Sequence, residues 1–250
     1  MTPLRVGPIV ARAALLGFLG WLYGGDLARW VQAQTAEVAA LSELPKWWLS
    51  LGGVAVTAGG AVVLAMAVAR KKPSGWPPLR LLTIAAVSLL FFDFVVLSSR
   101  GSPISAEDRM LVAIHSLSDG ASGAAAPQAV PRDPALLATF LDGLGPVPFF
   151  VHGERVAQWS VELRERCAGP SSEPGALAPG TLIYCVSVDR KQAWVSLVGT
   201  PQAQRFGPRA IVSVKDDWVG EVHVAPPEPA AAPDGTEEPV WDQPTPDDGP

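Results

Sequence analysis

The chain has 250 residues, a net charge of −5, 48% hydrophobic residues and only 17% charged ones, with a mean hydropathy of +0.24. A soluble domain usually carries more charge, and this balance points to an integral membrane protein whose first partner is the lipid bilayer. Seven acids follow Ala225 with no Lys or Arg among them. Without those seven the rest of the chain is only +2, which argues against nucleic acid as a partner.

Three apolar stretches occupy the first hundred residues, at about 8–24, 47–69 and 81–98. Arg12 interrupts the first, at a depth from which its long side chain can snorkel to headgroups. Arg5 and Arg12 ahead of a short apolar region also fit a secretory signal. Trp21, Leu22 and Tyr23, however, stand where small residues should mark cleavage, so an uncleaved anchor is predicted. From Asp26 to Leu44, the residues Leu27, Val31, Val38 and Leu41 recur near helical spacing, with Pro45 as a stop. This predicts an external amphipathic helix that lies on the membrane or extends the first span.

The second stretch runs from Trp47 and Trp48 to Arg70, long enough for a hydrocarbon core of roughly 30 Å. Gly53, Thr57, Ala61 and Ala65 place a small residue at every fourth position, a stripe that lets another helix approach closely and would suit a homo-oligomer through this span. The run Arg70-Lys71-Lys72 is expected to remain cytoplasmic. It would put the N-terminus inside and carry everything after Arg100 outside.

The third stretch contains Asp93, within Leu89-Leu90-Phe91-Phe92-Asp93-Phe94. A carboxylate at a helix centre costs about 2.5 to 3.5 kcal/mol on insertion scales. Asp93 lies five residues before Ser98, roughly 8 Å below the outer boundary at the helical rise. Two readings stay open: a proton-handling residue, or a buried hydrogen-bonding one. Over Leu81 to Arg100, an Asp-bearing helix ahead of a small extracytoplasmic domain resembles the ExbD/TolR type of stator subunit. Those proteins have one span, with the Asp toward the cytoplasmic half. This chain has three, with the Asp toward the outside, so no functional residue is carried over.

Beyond residue 100 the pattern predicts an α+β domain over 101–225 with a mainly antiparallel sheet. Ser105 and Asp108 form a capping-box signature ahead of Met110, Leu111, Ile114 and Leu117, with Gly120 as the stop. Asp133-Pro134 starts a second, shorter helix that ends at Gly143. Phe149-Phe150-Val151 and the alternation from Ala157 to Leu163 suit a hairpin, with a helix over Glu154 to Arg166 as the rival. Firmer strands are predicted at 182–188, 193–198, 210–214 and 219–224. Residues 226–250 are Pro-rich and acidic and are expected to be disordered.

The two cysteines, Cys167 and Cys185, both fall in the part assigned to the outside and are expected to form a disulfide, with two unpaired buried thiols as the alternative. No catalytic residue is assigned. GxSxG, SxxK, HExxH, Walker A and GxGxxG patterns are absent, and His115, His152 and His223 lack ligand spacing, so neither metal nor cofactor is expected. Asp216-Asp217 reads as a turn. The resulting expectation is a multi-pass protein of a bacterial cytoplasmic membrane that presents a scaffold, sensor or partner-binding domain to other envelope proteins. The alternatives are a proton- or ion-coupled subunit using Asp93 and a membrane-attached enzyme.

Overall fold

The computed structural model describes residues 6–73, 75–97, 104–201, 204–212 and 219–224. The acidic tail and Asp216-Asp217 lie outside them. Among the described residues, three helices are long and apolar enough to cross a membrane: α1 (Val6–Thr35), α2 (Trp47–Ala69) and α3 (Pro77–Phe91), the last continuing as a π turn over Phe92–Val96. Trp21, Val62, Leu81 and Phe91 point away from the protein and are each more than half exposed. Such a belt of large apolar side chains is stable only against an apolar surround.

Small residues let the three helices close. On α2 the inward positions Gly53, Gly60 and Ala67 are buried at seven-residue intervals, the 3.5-residue repeat of helices that cross at a shallow left-handed angle. A Cβ at Gly60 would lie 2.6 Å from both Leu16 and Leu82, so all three helices meet there. The four-residue stripe read from the sequence divides. Gly53 and Thr57 face α1, with Thr57 Cγ2 3.1 Å from the Cβ position of Gly20, whereas Ala61 and Ala65 are exposed. A spacing of four drifts about 40° around a helix at each step, so its far end leaves the packed face.

The segment after the first span departs from expectation. Helix α1 does extend the span, to Thr35, but Val38 and Leu41 are not on it. Val38–Ala40 form a fully buried strand, β1. It lies between β2 (Phe149–Val151) and β7 (Phe206–Gly207), antiparallel to both, with Ala39 opposite Phe150 on one side and Phe206 on the other. Long-range pairing with two aromatic strands outweighs the local helical spacing. Next to β2, β3 (Glu154–Arg155) closes a hairpin whose turn residues His152 and Gly153 have φ of 48° and 82°. A two-residue turn with both φ values positive matches the twist of the strands it joins.

The second sheet has the order β4 (Ser160–Cys167), β5 (Thr181–Ser187), β6 (Gln192–Gly199), and β8 (Ala210–Ile211). The far edge of β6 is shared, with β8 on its C-terminal end and β9 (Gly220–His223) on its N-terminal half. All of these pairs are antiparallel except β4 with β5, which run parallel. The sheet is thus antiparallel-rich, and the rival helix over 154–166 does not form. Helix α4 (Ala106–Gly123) starts at the foreseen capping box, Ser105 Oγ accepting from Asp108 N at 3.0 Å and Asp108 Oδ2 accepting from Ser105 N at 3.3 Å. It runs past Gly120 to Gly123. Its face Met110, Ala113, Ile114 and Leu117 packs with Leu137 of α5 (Pro134–Thr139) onto Leu182, Tyr184, Val195 and Val222. Val38 and Phe149 belong to the same core. The loop between the first two spans therefore helps to build the domain.

Candidate functional site

A cavity of about 650 Å³ opens where the helix bundle meets the two sheets. Parts of the chain far apart in sequence wall it. The C-terminal half of α1 supplies Asp26 and Arg29, an ion pair at 3.5 Å. The link from β1 into α2 supplies Leu41, Glu43, Lys46 and Leu49. The start of α4 supplies Glu107, Arg109 and Met110, and the turn before β7 supplies Gln204 and Arg205. Four carboxylates, including Asp93, and four cations share one space. Such a mixture can hold a small ligand bearing both signs of charge, whereas a single-sign cluster would select one.

Asp93 reaches this cavity from inside the bundle, with only 1% of its surface exposed. It accepts a hydrogen bond from Tyr23 Oη at 3.0 Å. Tyr23 is itself fully buried, and its ring occupies the room left by Gly53, where a Cβ would overlap the ring and the Tyr23 Cβ. The π turn belongs to the same arrangement. Leu97 N donates to Phe92 O at 2.9 Å, five residues back, and such wide turns re-aim side chains within a helix. Sequence reasoning found Asp93 but not its partner. The available signal was a phenol in the first span toward the same end of the bundle.

Arg12 is held on α3, its Nε donating to Thr83 Oγ1 at 3.3 Å, and Thr83 in turn donates to Leu79 O at 2.9 Å. The partly buried guanidinium is thus tied to α3. The histidines lie elsewhere. His115 and His152 are exposed, and His223 is an exposed partner of Glu221 at 3.3 Å. None of the three lines the cavity. Among the described residues no group of three or more His, Cys, Asp or Glu could hold a metal ion.

Cys167 and Cys185 are joined in a disulfide, their Cα atoms 5.7 Å apart. It ties the parallel neighbours β4 and β5 beside a bulge between Glu165 and Cys167, where Arg166 takes φ of 61°. Its role is in the second sheet and not in the cavity. At the β5–β6 turn, hydrogen bonds from the Ser187 hydroxyl and the Lys191 amide hold the Asp189 carboxyl below its ordinary range. Tyr184, in the domain core, has a hydroxyl without a hydrogen-bond partner among the described residues. Burial pushes its ionisation upward.

Neither family models, curated proteins nor solved structures gave a match to this chain.

Proposed function

We propose that this is a multi-pass protein of a bacterial cytoplasmic membrane that holds a folded sensor or partner-binding domain firmly against the outer face of the bilayer. The observation that carries the reading is the path of α1, which leaves the apolar region and, after a two-residue link, enters the domain's sheet as β1. Domain and bundle are thus joined through β1 as well as through the link from α3 to α4. An occupant of the cavity between them would touch both at once. Two features support an outward-facing domain. The Arg70-Lys71-Lys72 turn lies beyond the far end of α2, roughly 34 Å from Trp47 at the helical rise, and basic turns stay in the cytoplasm. The disulfide suits an oxidising compartment.

Photocrosslinking in intact cells, with a probe replacing Glu43 at the cavity rim, tests the functional part. A discrete adduct that disappears when Ala39→Pro breaks β1 pairing is expected. A hydrolase or transferase activity of the purified full-length protein, abolished by a point change in the domain, would overturn the reading.

A second reading, a proton- or ion-coupled subunit, is favoured by one observation: a carboxyl 1% exposed beside a cavity and bonded to a buried phenol. It requires Asp93 to change protonation. Infrared difference spectra across a pH step should then show a carboxylic C=O band that Asp93→Asn removes while the protein still inserts. If no such band appears, Asp93 is a structural hydrogen-bonding residue.

A further inference from the structure

We infer that the cavity is a binding site for a zwitterionic phospholipid headgroup, a phosphate together with an ammonium. This rests on the membrane reading above. The first support is depth. Arg29, in the C-terminal part of α1, and Lys46, the N-cap of α2, both line the cavity, and the Trp30 and Trp47 rings, next to them in sequence, lie 6.3 Å apart. Tryptophan concentrates at headgroup level. A space at that level meets headgroups at higher local concentration than any soluble ligand.

The second support is charge. Arg29 pairs with Asp26. Lys46 and Arg205 make no side-chain hydrogen bond or ion pair among the described residues, and neither do Glu43 and Glu107. Two cations and two carboxylates, all exposed and without a side-chain partner among the described residues, match a ligand that carries both signs. An anionic headgroup would satisfy the cations and leave the carboxylates repelled. Leu41, Leu49 and Met110 add an apolar wall suited to the glycerol and first acyl carbons.

The test uses the full chain in nanodiscs of equal phosphatidylethanolamine and phosphatidylglycerol, with lipid adducts read by native mass spectrometry after ejection. Phosphatidylethanolamine should be enriched in the adducts over its bulk share. Lys46→Ala with Arg205→Ala, both exposed positions, should lower adduct retention by roughly fivefold or more, the scale of two lost exposed ion pairs. Glu43→Gln with Glu107→Gln should reverse the preference toward phosphatidylglycerol. Adducts at the bulk ratio, or enrichment unchanged in both double variants, would overturn the inference. Free phosphoethanolamine binding in detergent without lipid enrichment would also overturn it, by placing the ligand in solution. Incorporation into the discs is scored in the same samples, so loss of lipid preference is distinguishable from failure of the membrane reading.

Discussion

Gly53 is where the bundle is least able to yield, and Gly53→Ala measures that directly. A Cβ there would overlap the Tyr23 ring and would also lie 2.6 Å from the Tyr23 Cβ, which no rotamer change can move. Overpacking of this kind costs about 1 to 3 kcal/mol. Displacing Tyr23 also breaks its 3.0 Å bond to Asp93, worth about 0.6 kcal/mol and at most about 1.7 in a membrane interior. Against this, Ala favours the helix over Gly by about 1 kcal/mol. A net loss of about 1 to 3 kcal/mol is expected from reversible unfolding of the purified protein in mixed micelles titrated with sodium dodecyl sulfate. The neighbouring Gly52→Ala supplies the control, because nothing lies within 4 Å of a Cβ there, and it should be neutral or stabilising. In a Tyr23→Ala background the ring overlap is gone and only the contact with the residue-23 Cβ at 2.6 Å remains, so Gly53→Ala should cost clearly less than in the wild type. A change within 0.5 kcal/mol in the wild-type background, or an equal cost in both, would refute the packing argument (about the error of such additivity tests).

Three further outcomes follow from the domain. In the denatured, unreduced protein no thiol should react, and reduction should expose two and destabilise the domain by about 3 kcal/mol; two reactive thiols before reduction would rule out the Cys167–Cys185 bridge. Tyr184→Phe removes a hydroxyl that has no partner among the described residues and should change stability by no more than about 1 kcal/mol, in the stabilising direction. A larger loss would reveal a partner for the hydroxyl. Because burial raises the ionisation of Tyr184, the unfolded chain gives up that proton first, near pH 10. Stability should therefore fall as pH rises above about 10, and the fall should be shallower in Tyr184→Phe. An identical alkaline limb in both proteins would contradict that assignment.

The apolar spans were legible because length and hydropathy are local properties, and the α4 start because a capping box is written in four residues. The disulfide needed only the count of two cysteines. Strand β1 was not legible. Val38-Ala39-Ala40 has neither alternation nor a turn at either side, and what makes it a strand is Phe149-Phe150 and Phe206, more than a hundred residues away. The same holds for the parallel pairing of β4 and β5, since alternation specifies a strand but not its neighbour. Asp93 stood out from its apolar surroundings, but its bond to Tyr23 depends on the bundle's rotation, and the π turn has no sequence signature. The cavity draws on segments spread from Asp26 to Val212, so no single stretch announced it.

The central claim is that the domain sits outside, and protease accessibility of a C-terminal tag in spheroplasts tests it most directly. The account expects the tag to be digested from outside while a second tag, inserted at Gly75 in the α2–α3 turn, stays protected until the membrane is broken. A protected C-terminal tag together with a digested turn would contradict it.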